Sequence, residues 1–363
     1  MADMDDELDL VELNLAPNEA SGLLRVEHQP LLDAHGWDLG FWVVLDEGRV
    51  HDCVALIGRS GAEGAWGIEK LHAEPVGTTK VTEDAEALAR HDGWVYVLGS
   101  HFGKKAGPLE PRRSFVARFR EADIAGARGR RPWPMTVARP PFLLHRLIND
   151  ALRDVGPDLV PLGPRSRAAF IDATIAIGAK GGKRWADRVR EGDYPLNIEG
   201  AAFRPDGSLL VGLRFPVAAD GKPILVALDG IQRMFEPGGE PPVVAGLWTA
   251  DAVGPNGTMA GVRDLTVDGD ELHLVTGNID AREKGSVLLE DYEGGRDTMA
   301  AHWRSALPDG RGSGELRADL VRRFPVLPRI EGIAPGPEGR FYYVSDEDEG
   351  VHVRFTPLVA APA

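Results

Sequence analysis

A chain of 363 residues exceeds what one hydrophobic core usually serves, so two domains or one repetitive fold is expected. Its formal charge of −15 repels phosphate backbones, which argues against nucleic acid as partner, although a local basic patch could still hold a small anion. Cys53 is the single cysteine, which excludes an intramolecular disulfide and fits a reducing compartment.

The N-terminal "MADMDDELDL" is acidic where a signal peptide is basic and then apolar. No run of 18 apolar residues follows, so a cytoplasmic protein without membrane association is expected. "LDLVELNL", residues 8–15, alternates apolar and polar positions and reads as a strand. Next comes "EASGLLRVEHQPLLDAHGWDLGFWVVLDE", with Ser21 and, two residues before it, Glu19; strands are predicted over 21–26, 40–45, 50–57 and 67–72. "GIEKL", with Glu69, belongs to the last of these.

A second unit opens at Glu86 in "EDAEALARHDGWVYVLGS", with strands near 86–90, 93–98, 114–120 and 134–139. The stretch 141–193 differs. "PFLLHRLINDALRDVG" spaces Leu144, Leu147, Ile148, Ala151, Leu152 and Val155 as a helix does, and "RSRAAFIDATIAIG" suggests another, so a helical insertion is expected there, as a packed cap or a gating lid. Its "GAKGGK" lacks the glycine spacing of a phosphate loop and reads as a surface loop.

Glu199 in "NIEGAAFRPDGSLLVGLR" starts a third unit, with strands at 199–203, 208–213, 224–228 and 243–248. Asp264 in "GVRDLTVDGDELHLVTGN" starts a fourth, predicted at 263–267, 271–276, 286–290 and 316–324. Glu331 in "RIEGIAPGPEGRFYYVSD" starts the last, which has room for only 331–334, 340–344 and 350–356. Tandem four-stranded units are the signature of a β-propeller. The expectation is a single all-β domain over residues 1–363: a five-bladed propeller of antiparallel blades, its last blade completed by the N-terminal strand so that no edge stays open.

The first strand of a propeller blade lines the axis, so Ser21, Glu86, Glu199, Asp264 and Glu331 should form a ring. Carboxylates about 6 Å apart repel by roughly 3 kcal/mol at an effective dielectric near 20. Calcium, which accepts six to eight oxygens in irregular geometry, is the expected remedy. Protonation, a ring of Arg, or acceptance of backbone N–H groups from neighbouring blades are the alternatives.

The repeats "IEGAAF" and "IEGIAP", with "VLGSH" and "GLRFP", resemble a bacterial family known as a domain of unknown function, over most of the chain outside the helical insertion. More distantly, a Ser and several acids about one axis are similar to the five-bladed calcium-activated nucleotidases (apyrases) and to phytase-like esterase propellers. The nucleotidase resemblance implies an axial calcium held by Ser21, Glu86, Glu199 and Glu331, with Asp264 departing in residue type, and hydrolysis of nucleoside diphosphates.

Loops after each second strand supply further candidates: His101, Lys104 and Lys105 in "GSHFGKK", Arg214 in "GLRFP", Asn278 and Asp280 in "GNID", and Asp346 and Glu347 in "SDEDE". Two functions follow. One is a calcium-dependent hydrolase of a small anionic ester or anhydride, in which an acid or His101 deprotonates water and Arg214 neutralises developing charge. The other is a non-catalytic propeller binding a protein or small ligand. Convergence of His101 and Arg214 on an open axial pocket favours the first.

Overall fold

A computed structural model describes residues 9–15, 20–46, 48–61, 64–77, 81–125, 132–281, 285–325, 329–347 and 350–357. Glu19 lies outside them. Among the described residues the chain builds five sheets and few helices, an all-β fold of propeller type.

The first sheet runs Ala20–Arg25, Leu39–Leu45, Val54–Arg59, Trp66–Leu71. The second is Ala85–His91, Trp94–Gly99, Val116–Arg120, Trp133–Ala138, and the third is Asn197–Phe203, Leu209–Phe215, Ile224–Asp229, Val243–Ala250. The fourth is Gly261–Asp268, Glu271–Gly277, Ala301–Ala306, Ala318–Arg323. The fifth holds Ile330–Pro335, Arg340–Glu347 and Gly350–Pro357, and beyond them Asp9–Leu13, which pairs antiparallel with Gly350–Pro357 in the register Asp9 to Phe355.

Three features depart from the sequence reading. Residues 287–291 are a short helix rather than a strand, capped where the Ser286 hydroxyl accepts from the Leu289 N–H; the third strand of the fourth sheet comes later, at Ala301–Ala306. Two extra strands, Ala73–Val76 and Gly312–Leu316, add in parallel to the outer edges of the second and third sheets. Both cover edges that would otherwise offer unpaired N–H and C=O groups.

The middle strands explain why alternation was faint in the sequence. Leu39–Leu45, Val54–Arg59 and Leu209–Phe215 are buried at every residue, because each sheet is packed on both faces. Trp42, Val44 and Leu56 meet Val97, Phe115 and Phe119 between the first and second sheets. Leu210 and Leu225 meet Val262 and Leu272 between the third and fourth, and Phe41 and Val43 meet Tyr342 and Val344 between the first and fifth. The outer Gly312–Leu316 and Ala318–Arg323 are mostly solvent-facing.

Residues 141–193 carry the helix Leu143–Val155 and a helical run over 164–180. Leu144, Ile148 and Leu152 pack into the core shared by the second and third sheets. Phe142, Phe170, Ile171 and Val189 form a separate core with Phe102, Phe215, Ile279, Leu288 and Tyr292, which ties the insertion to loops at one end of the sheets. No helix among the described residues is long and apolar enough to cross a membrane.

The first strands of consecutive sheets lie side by side, and that of the fifth lies beside that of the first. This close approach needs glycine. Gly22 has φ +67°, and a Cβ there would sit 2.9 Å from the backbone oxygen of Glu86. Gly22→Ala should therefore cost about 1–3 kcal/mol from left-handed backbone and the clash together, read as a lowered denaturation midpoint with unchanged m-value. A midpoint equal to wild type would show that the strands can separate at no cost.

Candidate axial site

The first strand of each of the five sheets carries a bulge at the same place. Pairing skips from Ser21 to Leu23, from Ala85 to Ala87, from Ile198 to Gly200, from Val262 to Asp264, and from Ile330 to Gly332. The residues so displaced are Gly22, Glu86, Glu199, Arg263 and Glu331. A bulge re-aims one side chain and leaves it out of the ladder, which is how strand residues are commonly directed into a site. Of the five residues aligned in the sequence, Glu86, Glu199 and Glu331 are displaced by the bulges, whereas Ser21 stands one residue before its bulge and Asp264 one residue after.

Asp264 is instead a backbone acceptor. Its Oδ2 accepts from the N–H groups of Leu23 at 3.4 Å and Ile333 at 2.8 Å, and its Oδ1 from Leu265 N–H at 2.8 Å. One carboxyl therefore ties the inner strands of the first, fourth and fifth sheets. Burial pushes its pKa well above the ordinary carboxylate range, and the three N–H donors oppose that push.

Arg263, which occupies the ring, compensates two of the glutamates. Its guanidinium pairs closely with Glu331 and reaches Glu199 Oε2 at 3.5 Å. Arg214 Nη1 donates to Glu199 Oε1 at 2.8 Å, and its Nε and Nη2 donate to the backbone and side-chain oxygens of Asn278 at 3.1 and 2.9 Å. Asn197 Nδ2 donates to the same Glu199 Oε1 at 2.9 Å.

Glu86 is different. Among the described residues no hydrogen bond ends on its carboxyl, and the residue is half-buried. Burial, with the carboxylates of Glu199, Asp84 and Asp46, pushes Glu86 well above the usual carboxylate range, and Arg214 opposes this.

Asp84 sits at the entrance to the same strand with φ +67°. It accepts from the Ser100 hydroxyl and from Arg113 Nη1, the latter at 2.8 Å, yet burial holds its pKa up at about 6. Neither Asp84 nor Ser100, Arg113, Asn197 or Arg263 was singled out from the sequence.

The donor set does not fit calcium. The first sheet offers Gly22, without a side chain; Arg263 stands where a ligand is needed; Asp264 already accepts three N–H groups. Among the described residues no group of three or more His, Cys, Asp or Glu is arranged to hold a metal ion.

His101 and Arg214 are both buried, but they serve different surroundings. His101, at φ +60° after the strand Trp94–Gly99, is buried near His145, and among the described residues neither of its ring nitrogens has a partner of good geometry. Burial first, then His145, lowers its pKa to about 3, while the Phe115 backbone gives a weak opposing contact. His145 Nε2 is 3.4 Å from Asp193 Oδ2, and Arg146 grips Asp193 with two bonds of 2.8 and 2.9 Å. No described contact joins His101 to Arg214.

The other mouth candidates divide similarly. Asn278 holds Arg214 and, at 3.4 Å, Arg263. Asp280 accepts from Ala281 N–H at 2.7 Å and from the Ser286 hydroxyl, which makes it a turn former. Lys104 is exposed. Asp346 and Glu347 are described only as the end of the strand Arg340–Glu347.

No family model matches the chain, and no curated protein matches it. Among solved structures, it is similar to the xyloglucan PUL GH43B protein of Bacteroides ovatus, at 12% identity and TM-score 0.44 over 96% of this chain and 54% of that one. It is similar to a glycosyl hydrolase from Bacteroides ovatus, at 9% identity and TM-score 0.40 over 95% of this chain and 86% of that one. It is also similar to a mannose phosphorylase from Leishmania mexicana, at 11% identity and TM-score 0.38 over 94% and 84%. All three TM-scores lie below one half, so none bears on this chain's chemistry.

Proposed function

We propose that the five sheets are the blades of one ring, completed by the N-terminal strand, and that its axis carries a hydrolase site in which Glu86 is the general base. The observation that supports this reading is the contrast between Glu86 and its neighbours. Glu199 and Glu331 are held by guanidinium groups, whereas Glu86 is only half-buried and, among the described residues, without a donor.

A carboxylate in that state takes a proton from water as the water oxygen adds to an ester carbonyl. The carbonyl π pair moves to oxygen, where the field of Arg214 offsets the charge. When the tetrahedral intermediate collapses, the bond to the leaving oxygen breaks, and the proton held by Glu86 passes to that oxygen. The step balances without a metal or an oxidant. Substrates are small polar esters, since buried carboxylates and guanidinium groups line the site.

The test is a panel of nitrophenyl esters, lactones and phosphoesters, assayed with and without chelator. Wild type should hydrolyse at least one carboxylic ester class equally in both conditions. Glu86→Gln should lose about 10²–10⁴-fold in kcat with its melting temperature kept, as expected for a lost general base. No turnover on any ester, or full turnover by Glu86→Gln, would overturn the assignment.

A further inference from the structure

Arg214 carries the positive charge that the proposed reaction uses, and the way it is held decides what that charge can do. Its Nε donates to the Asn278 backbone oxygen at 3.1 Å and its Nη2 to Asn278 Oδ1 at 2.9 Å, so one residue grips one edge of the guanidinium at two points. Its Nη1 donates to Glu199 Oε1 at 2.8 Å. Arg263 shares both holders, reaching Asn278 Oδ1 at 3.4 Å and Glu199 Oε2 at 3.5 Å. Two guanidinium groups are thus bridged by a carboxylate on one side and by an amide on the other. Both donors that face the Asn278 side chain require its oxygen there, which settles the orientation of the amide.

This grip leaves Arg214 with donors to spare. Nε has spent its only N–H, whereas Nη1 and Nη2 each keep a second one without an acceptor among the described residues. The clamp is also firmly seated: Phe215 and Ile279, the residues after Arg214 and Asn278, are fully buried in one core with Phe142 and Phe170 of the insertion. A cation fixed in this way needs no reorganisation when negative charge forms beside it. The holder's own charge matters equally. A carboxylate at position 278 would grip as well as the amide does, but it would repel the same oxyanion.

We propose that Asn278 is a positioning residue, whose backbone and side-chain oxygens fix the Arg214 guanidinium against a developing oxyanion without adding a negative charge. This rests on the hydrolase reading above and adds to it the residue that aims its cation.

Two variants separate grip from charge. Asn278→Ala removes the side-chain acceptor, and Asn278→Asp keeps an acceptor for both guanidinium groups while adding a charge. NMR of arginine-labelled protein without substrate, with Arg214→Lys for assignment, reads how fast the Arg214 Nη1 and Nη2 positions interchange by rotation about the Nε–Cζ bond. Interchange should be at least about ten-fold faster in Asn278→Ala than in wild type, and within about three-fold of wild type in Asn278→Asp. On any ester that wild type hydrolyses, both variants should lose about 10–10²-fold in kcat with KM nearly kept, one from a misaimed charge and the other from an opposed one. A residue that served only the fold would leave kcat intact in Asn278→Asp.

Interchange unchanged in Asn278→Ala, or full kcat in Asn278→Asp, would overturn the inference. Faster interchange in Asn278→Ala, from a wild type that hydrolyses no ester, would sustain the clamp and sink the hydrolase reading. Turnover lost in Glu86→Gln but untouched in both Asn278 variants would do the reverse.

Discussion

Asp264→Ala should destabilise the protein by at least about 3 kcal/mol, the largest effect expected of any single substitution on the axis. The reason lies in the three buried N–H groups of Leu23, Leu265 and Ile333 that end on this carboxyl. Each unsatisfied buried donor costs about 1–3 kcal/mol. Leu23 belongs to the first sheet and Ile333 to the fifth, so the loss falls where distant parts of the chain meet. Asp264→Asn should be intermediate, since an amide keeps one acceptor oxygen and points its NH₂ at donors the other oxygen used to satisfy. Urea unfolding of the three proteins checks the order. Equal midpoints would mean that water satisfies those N–H groups and that the axis is wetter than its burial suggests.

Asp264 also shows where sequence and structure part. Strand positions were legible because turn residues and apolar runs punctuate them: Ile224–Asp229 was predicted to within a residue at its end. The helix at 287–291 was not, because "SVLLED" is short, apolar and followed by glycines, and only its Ser286 cap distinguishes it from a strand.

At the axis the error was one residue, and it was chemical in origin. Matching acid to acid placed Ser21 and Asp264 in the ring. A bulge shifts the side chain that is re-aimed, so the backbone, not the residue type, sets the register. The signal was present in the preceding residue. Ile198 and Ile330 stand just before their ring glutamates, and Val262, the corresponding β-branched residue, stands just before Arg263. That alignment places the Arg263 guanidinium between the Glu199 and Glu331 carboxylates. The partnerless oxygen of Asn197 and the strained Asp84 depend on tertiary contacts across two sheets, and no local pattern encodes them.

A buried chain of side chains between the fourth and fifth sheets should contribute a loss of stability as the medium is acidified from neutral toward pH 4, opposed by Asp84, Glu86 and Asp264, whose raised pKa values let the folded chain take up protons first. His273 Nδ1 lies 2.9 Å from His302 Nε2, and His302 Nδ1 lies 2.8 Å from the Tyr343 hydroxyl. Phe341 covers both imidazoles, with ring centres 4.3 and 5.1 Å away. Arg304 faces both histidines, Glu271 reaches His273 Nε2 at 3.7 Å, and Arg322 faces Tyr343. Two hydrogen bonds can be made in one chain if both rings are neutral: the hydroxyl donates to one ring, which donates to the next. Protonating one ring leaves both contacts possible, because the Tyr343 hydroxyl can accept as well as donate, and only protonation of both rings puts donor against donor between His273 and His302.

Burial, reinforced by Arg304, lowers His273 to about 4, and burial, His273 and Arg304 lower His302 well below its ordinary value. The unfolded chain binds protons at the ordinary value near 6.5 while the folded chain does not. Stability is therefore lost progressively as pH falls through that range, until the folded rings themselves titrate. His273 alone contributes roughly 3 kcal/mol to this loss by pH 4. His101, lowered to about 3 by burial, acts in the same direction and marks the insertion as a second acid-sensitive point. Replacing the chain as a unit, with His273→Leu, His302→Leu and Tyr343→Phe together, leaves no orphaned hydroxyl and should make unfolding free energy fall less, or rise more, between pH 6.5 and 4 than it does in wild type. A slope unchanged in that triple variant would place the acid sensitivity elsewhere, and His101→Phe would then be the variant to lose it.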